Sequence, residues 1–425
     1  MKPASKSQWS AALLLSASAL ALCAIFFFSL VQGARAAEAE LRPGDAIGPH
    51  NWQRVEGMVG QNLLNRIKQG YAFKLKGPKV YGPLKEKVYG PLKEYVEATE
   101  KYAGKVTLGR HGELLHYVAG LPFPRLAPSD PQAGVKIAWN FYWRWLGDDQ
   151  KTGGATREGK IIRDAIERDG SERRVDIVSY TLRTRGRVTI EPIPVISGYE
   201  HIDWMHLRAD EYPRDTSGTT TLEIRYADPN RADDLYIYVP SLRRVRRAPP
   251  IQRCATIAPG EYNFDDINSF NGKITDFNYR FLGEKKMLAN LSQERLPFRR
   301  KRGDYLPLDE GWEVRDAYLL EITPKDPDYC YPRKVVAIDR VMWDVFWTMT
   351  WDKDGNYWRE QFAFRTPVRL PDGREVWSVG TVVFVNVQNG RATVLTVPRA
   401  YNQGYQPTLF SLATLQQVMR GGSIR

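Results

Sequence analysis

The sequence predicts a mainly β fold with a few helices, an α+β class in which one long antiparallel meander carries most of the chain. Three observations point there. Period-two alternation of apolar and polar residues recurs from Arg173 to Val397, the pattern of strands with one face in a core. Residues suited to tight hairpins separate the runs, as in Asp352-Lys-Asp-Gly355 and Gln388-Asn-Gly390. Aromatic residues are abundant, with 12 Trp and 22 Tyr, and such rings suit pleated faces and apolar pockets with polar rims. A chain of 425 residues that is 43% hydrophobic can bury a large core, which excludes a disordered protein.

Taken in order, residues 1–36 read as an export signal. Lys2 and Lys6 precede an apolar run from Ala11 to Val31, and Ala34-Arg35-Ala36 supplies the small residues that a signal peptidase inspects. Cleavage after Ala36 is expected; an uncleaved anchor is the alternative, because the apolar run is long enough to span a bilayer. Cys23 is disfavoured as a lipoprotein site by the large Leu22 before it. Loss of Lys2, Lys6 and Arg35 lowers the formal charge of +12 by three. The remaining basic residues are spread along the chain, which favours attraction to anionic surfaces and excludes a nucleic-acid module, since no zinc ligands or recognition helix accompany them.

Residues 37–150 form a helical and loop region. Asn51 to Gly70 predicts a helix on the spacing of Val55, Val59, Leu63, Leu64 and Ile67, and Tyr71 to Lys76 a strand. The octapeptide Lys79 to Glu86 is repeated residue for residue as Lys87 to Glu94. Its Gly-Pro punctuation reads as a surface loop in which deletion of one copy is tolerated. A short helix follows, from Glu94 to Lys101. Ile137 to Trp145 predicts a helix with rings on nearly all sides, so it must be wrapped by a sheet or packed on a partner.

Residues 151–425 carry the meander. Strands are predicted over Val175–Thr184, Arg187–Ile196, Thr219–Tyr226, Leu235–Val239, Ile274–Leu282, Trp312–Thr323, Arg333–Val341, Trp343–Asp352, Trp358–Arg365, Glu375–Val387 and Arg391–Val397, with a closing helix over Thr408–Met419.

The segment Asp234-Leu-Tyr-Ile-Tyr-Val-Pro-Ser-Leu-Arg-Arg-Val-Arg-Arg247 holds the first candidate site. Tyr236 and Tyr238 share a wetter strand face, and Pro240 ends or bulges the strand. Arg243, Arg244, Arg246 and Arg247 repel one another unless acids or an anionic ligand sit opposite, so they are either salt-bridge partners or an anion-binding edge. Alternation pairs Arg243 with Arg247 on one face and Arg244 with Arg246 on the other. Trp343, Trp347 and Trp351 share strand parity and are either core or ligand wall. Cys254 and Cys330, the two cysteines after the export signal, are a candidate disulfide.

Catalysis has little support in the residues. His201 and Asp203 share a strand face, but no Cys or His cluster completes a metal site. Neither a nucleophile elbow nor a phosphate-binding lysine loop occurs, and no cofactor is expected.

An ordered set of motifs resembles the family of exported bacterial proteins known as DUF1329. It comprises Asp234-x-x-x-Tyr238-x-Pro240-x-x-Arg243, Asp265-Asp266 with Phe270-x-Gly272, Asp276-Phe-x-Tyr279, Leu282-Gly283-Glu-Lys-Lys-Met287, Tyr318 to Lys325, and Trp351-Asp352-x-x-Gly355-x-x-Trp358-Arg359. That family is similar to the LolA and LolB lipoprotein-sorting proteins. The resemblance implies an incomplete antiparallel β-barrel over 151–425, its apolar concave face closed by helices. It further implies a periplasmic binding or carrier protein, outer-membrane-associated or free, for lipid, lipoprotein or another long apolar molecule. An RND-type transporter and outer-membrane components are the implied partners. A non-binding accessory subunit of such a transporter, and a glycan- or lipid-modifying hydrolase, are the alternatives to this non-enzymatic reading.

Overall fold

The computed structural model describes residues 40–77, 92–153 and 160–419. The export signal and all of the octapeptide duplication before Leu92 lie outside the described residues. Strands β1 (Ala46–Ile47) and β2 (Phe73–Lys74) pair around helix α1 (Gln61–Lys68). Helix α2 (Lys93–Tyr102), the small pair β3 (Thr107–Leu108) and β4 (Leu114–Leu115), and helix α3 (Ala133–Trp143) follow.

The rest is strand. In order these are β5 (Asp149–Gly153), β6 (Ile161–Ile166), β7 (Glu172–Arg183), β8 (Ile202–Tyr212), β9 (Thr220–Tyr226), β10 (Asp234–Val239) and β11 (Arg244–Arg247). Then come β12 (Phe277–Ala289), β13 (Glu313–Pro324), β14 (Arg333–Asp339), β15 (Val345–Trp351), β16 (Tyr357–Arg369), β17 (Glu375–Asn386), β18 (Arg391–Thr396) and β19 (Arg399–Tyr401). Helix α4 (Leu412–Met419) closes the described chain.

Fifteen of these strands form one antiparallel sheet in two meanders, β6 to β11 and β12 to β18, joined where β18 pairs with β6. Beside that seam, β5 pairs with both β19 and the second half of β7. The sheet is not closed into a barrel, because β11 and β12 are its two edges. It is nonetheless strongly curved. Strands β9 and β14 are eight places apart in the sheet order, about 38 Å across a flat sheet. A short chain of side chains spans them: Glu223 on β9 pairs with Arg253, Arg253 with Asp265, and the adjacent Asp266 with Lys334 on β14.

On the concave side, α3 covers the β12 to β14 half. Gly134 permits this approach, since a Cβ there would lie 2.5 Å from the Tyr279 carbonyl oxygen. Phe141, Ile137, Phe277, Leu320 and Ile338 form the core beneath. The wrapped helix expected from its rings is present: Tyr117 stacks on Trp143 at 4.2 Å, and Trp139 meets Tyr142 edge to face. The other half is covered by an irregular segment, residues 252–276, rather than by a helix.

The convex face is covered at both ends. The α1 region packs over β15 and β16, where Glu360 accepts the Asn62 and Leu63 N–H groups at the free first turn of α1. The C-terminal segment packs Tyr405, Phe410 and Leu415 over β7 to β9.

Several expectations are corrected. The helix expected over 51–70 is split, because Gly57 has φ +73° and α1 begins only after Gly60. No strand spans 187–196. Pro192 and Pro194 lack ladder donors, and side chains satisfy the backbone instead: the buried Arg187 donates to the carbonyls of Arg183, Ile190 and Pro192, while Asp148 accepts the N–H groups of Val188, Thr189 and Ile190. Strands β5, β6 and β8 were not expected.

Glu313, at the start of β13, gives the pH dependence a sign. One oxygen accepts the Leu291 N–H at 3.1 Å, and the other is buried without a partner. Burial pushes its carboxyl up to about 7, against an ordinary value of 4.5. Between those values the folded chain holds a proton that the unfolded chain has lost, so raising the pH favours unfolding by up to roughly 3 kcal/mol. His206, held near 4 by burial, contributes with the opposite sign over part of this range, so the Glu313 effect is read by difference: the urea stability of the parent relative to Glu313→Gln is expected to fall by this amount between pH 4.5 and pH 8. Identical pH profiles for the two would refute the assignment.

Candidate functional site

A cavity of about 160 Å³ lies between the curved sheet, the end of α3 and the 252–276 cover. Its walls divide by polarity. The apolar half is built from Ile161, Ile177, Val382, Phe384, Leu395 and Val397 on the sheet, with Ile257 and Tyr262 from the cover. Tyr262 stacks on Phe384 at 4.7 Å.

Sheet register builds the polar half. Arg399 lies opposite Thr152, Thr152 opposite Ser179, and Ser179 opposite Arg208, which places all four on one face of β19, β5, β7 and β8. The next rank runs Gln150, Thr181, His206 and Glu223. Arg183, Arg144 and Asp344 complete it.

The acids in this half are already committed. Asp149 accepts the N–H groups of Gln403, Gly404 and Tyr405. Glu223 is paired with Arg253. Asp344 binds both Arg144 and Arg365 at 2.9 Å. Burial would raise the Asp344 carboxyl, but the Arg365 and Arg144 guanidiniums outweigh it and hold the group below its ordinary value. Positive charge is therefore in excess, and neighbouring groups register it. Burial, together with the charges of Arg208 and Arg399, pushes the His206 imidazole down to about 4. Burial also pushes Arg144 down to about 10.

The cover is tied down at several points. Cys254 and Cys330 are joined, their Cα atoms 5.2 Å apart. Lys334 bonds Asp266 at 2.7 Å, and the fully buried Arg163 of β6 donates to Tyr262 Oη and the Ala258 carbonyl. Over the cavity itself, Asn268 and Ser269 take left-handed φ values of 54° and 75°. Arg399 Nη2 donates to Asn268 Oδ1 at 3.3 Å, and Gln361 Nε2 to Ser269 Oγ at 2.9 Å.

The residues singled out from sequence fall elsewhere. Arg243 is in the left-handed turn after β10, and Arg244, Arg246 and Arg247 lie exposed on edge strand β11. Arg244 and Arg246 share the concave face with Val239 and Ile237, whereas Arg247 shares the outer face with Tyr236 and pairs with Asp234. The expected Arg243–Arg247 pairing by face is thus broken by the turn. Tyr236 and Tyr238 pack outward, Tyr238 opposite Val245. None of Trp343, Trp347 and Trp351 lines the cavity. Trp343 sits in the turn before β15 with φ 56° and stacks on Tyr318. Trp347 is fully buried on the convex face against Trp312 and Phe362. Trp351, beyond a register shift, lies under Arg333.

Asp203 is engaged by Tyr142 and Arg185 rather than by His201. Among the described residues, no cluster of three His, Cys, Asp or Glu side chains is placed to hold a metal, and no helix is long and apolar enough to cross a membrane. His206 makes no hydrogen bond to the hydroxyls beside it. Arg144, Arg183, Arg208 and Arg399 were missed; the outward alternation of Met205, Leu207 and Ala209 was the signal that pointed His206 and Arg208 inward.

The model of a family described as "Protein of unknown function (DUF1329)" matches residues 47–416. Among solved structures, a domain from Vibrio parahaemolyticus provisionally named an outer membrane lipoprotein-sorting protein is 18% identical. It has a TM-score of 0.49 and covers 67% of this chain and 99% of its own. A DUF1329 family protein from Desulfovibrio piger has the same identity and TM-score, over 67% of this chain and 98% of its own. A LolA superfamily protein from Nitrosomonas europaea is 13% identical, with a TM-score of 0.39, over 63% and 92%. No curated protein matches.

Proposed function

The chain belongs to the DUF1329 family, and from that premise we propose that it is a periplasmic binding or carrier protein for a lipid-like amphiphile. The observation that carries this reading is the cavity, with an apolar half of sheet side chains and a polar half of arginines under one cover. Such a division matches a molecule with a tail and a head. Hydrolysis is less well supported, because among the described residues no acid pairs with the cavity's imidazole, and its three carboxylates are engaged by arginines or backbone N–H groups. The motif resemblance adds an RND-type transporter or an outer-membrane component as the delivery partner.

Size constrains how such a ligand sits. A volume near 160 Å³ is comparable to a cavity of about 150 Å³ that admits benzene, well below the roughly 300–1,000 Å³ of common ligand pockets. A head group and a short stub of tail fit; a long tail either leaves through the open side of the cavity or displaces the cover. Mass spectrometry of organic extracts from the mature protein, purified from periplasm, is expected to find an amphiphile at near-stoichiometric amounts. Val382→Phe, which fills the apolar half, should cut uptake of a fluorescent fatty acid by at least about tenfold, or 1.4 kcal/mol. An empty extract together with no uptake by the parent would overturn the carrier reading.

A further inference from the structure

We infer that the polar half of the cavity is a binding site for one anionic head group, a carboxylate or phosphate, centred on the Arg399 guanidinium; this rests on the carrier reading above. Arg399 is only 7% exposed, yet among the described residues its Nε and Nη1 have no hydrogen-bond partner and no carboxylate pairs with it. Its single bond, from Nη2 to Asn268, leaves enough N–H groups for a two-point fork onto two anion oxygens. Arg183 is similar: Nη2 donates to the Tyr142 carbonyl, while Nη1 is buried with no partner among the described residues.

Two alternatives fail. A structural salt bridge needs an acid, and Asp149, Glu223 and Asp344 are each engaged elsewhere. A guanidinium merely packed in the core would leave its unpaired N–H groups at a considerable penalty. The flanking groups fit an anion as well. Arg208, which binds Asp210, adds charge, and Thr152 and Ser179 stand between it and Arg399 across the sheet as further donors. The apolar half adjoins this band, so a tail continuing from the head meets Ile177, Val382 and Val397.

The test uses the mature full-length protein, calorimetric titration, and three probes: dodecanoate, dodecanol and inorganic phosphate. The parent is expected to bind dodecanoate at least about tenfold more tightly than dodecanol. Arg399→Gln should abolish that preference while leaving dodecanol affinity and the urea midpoint unchanged or higher, because an unpaired buried charge is gone. Arg399→Lys, which keeps the charge but loses the fork, should give an intermediate preference. Equal binding of the two amphiphiles by the parent overturns the anion site and leaves the carrier reading standing. Binding of neither amphiphile overturns the carrier reading; phosphate bound by the parent but not by Arg399→Gln would then assign the site to a free anion. A preference retained in Arg399→Gln overturns the role of Arg399, and should that variant not fold, the parent's own preference and the Arg399→Lys value decide.

Discussion

Replacing Lys334 by methionine is expected to lower the unfolding free energy by about 3–5 kcal/mol, the usual loss when one member of a buried ion pair is removed. Lys334 is fully buried on β14, with Nζ 2.7 Å from Asp266 and 4.5 Å from the Tyr331 ring centroid. Burial alone would lower its ammonium, but Asp266 and Tyr331 outweigh burial and hold it above its ordinary value. Without the ammonium, Asp266 keeps, among the described residues, the Asn263 N–H at 3.0 Å and a long contact to Arg359 at 3.5 Å. The loss should fall on the cover first, since Asp266 is the point where the cover meets β14. Chemical denaturation gives the size of the effect. Adding Asp266→Asn should recover part of the loss, because the second substitution removes the stranded charge; a strictly additive double variant, or a single loss below about 1 kcal/mol, would show that the pair is not coupled.

Much of the meander was legible because most of its strands obey one physical rule, apolar on the covered face and polar on the other. Strands β9, β10, β15, β17 and β18 read this way within a residue or two, while β7 starts three residues before its expected bound, β16 runs four past it, and β19 was not expected. The rule fails where the concave face turns polar. Arg163 on β6 and His206 and Arg208 on β8 point polar groups into the interior, so their strands look like solvated loops. It also misleads where alternation is accidental: Val188 and Ile190 alternate, yet Arg187 and Asp148 hold that segment as a loop. The arginine-rich segment drew attention because its charges are adjacent in sequence, and adjacency suits an exposed edge. Arg399 follows Val397-Pro398 with no charged neighbour in the next several residues, and its significance arises only when β19 is laid beside β5, with β7 and β8 next to it. Parity along Trp343, Trp347 and Trp351 assumed one unbroken strand, whereas a turn precedes β15 and a register shift interrupts its far end.

Removing the disulfide is the second large effect expected. Cys254 ends the turn that opens the cover, Cys330 lies in the β13–β14 connection, and their bond closes a loop of 76 residues. On the entropic model, a loop of that length restrains the unfolded chain by up to about 4 kcal/mol. In the folded state the same junction is held independently, by Arg253 bridging Glu223 and Asp265 and by the Tyr329 hydroxyl donating to Asp265. The folded state should therefore survive the double substitution Cys254→Ser with Cys330→Ser, and the loss should arise mainly in the unfolded chain. Two measurements separate this from damage to the cover. The urea midpoint should fall by an amount matching most of that free energy, while dodecanoate affinity at low denaturant should stay within about twofold of the parent. A large fall in affinity with a small change in midpoint would reverse the assignment, making the disulfide a clamp on the cover that shapes the cavity directly.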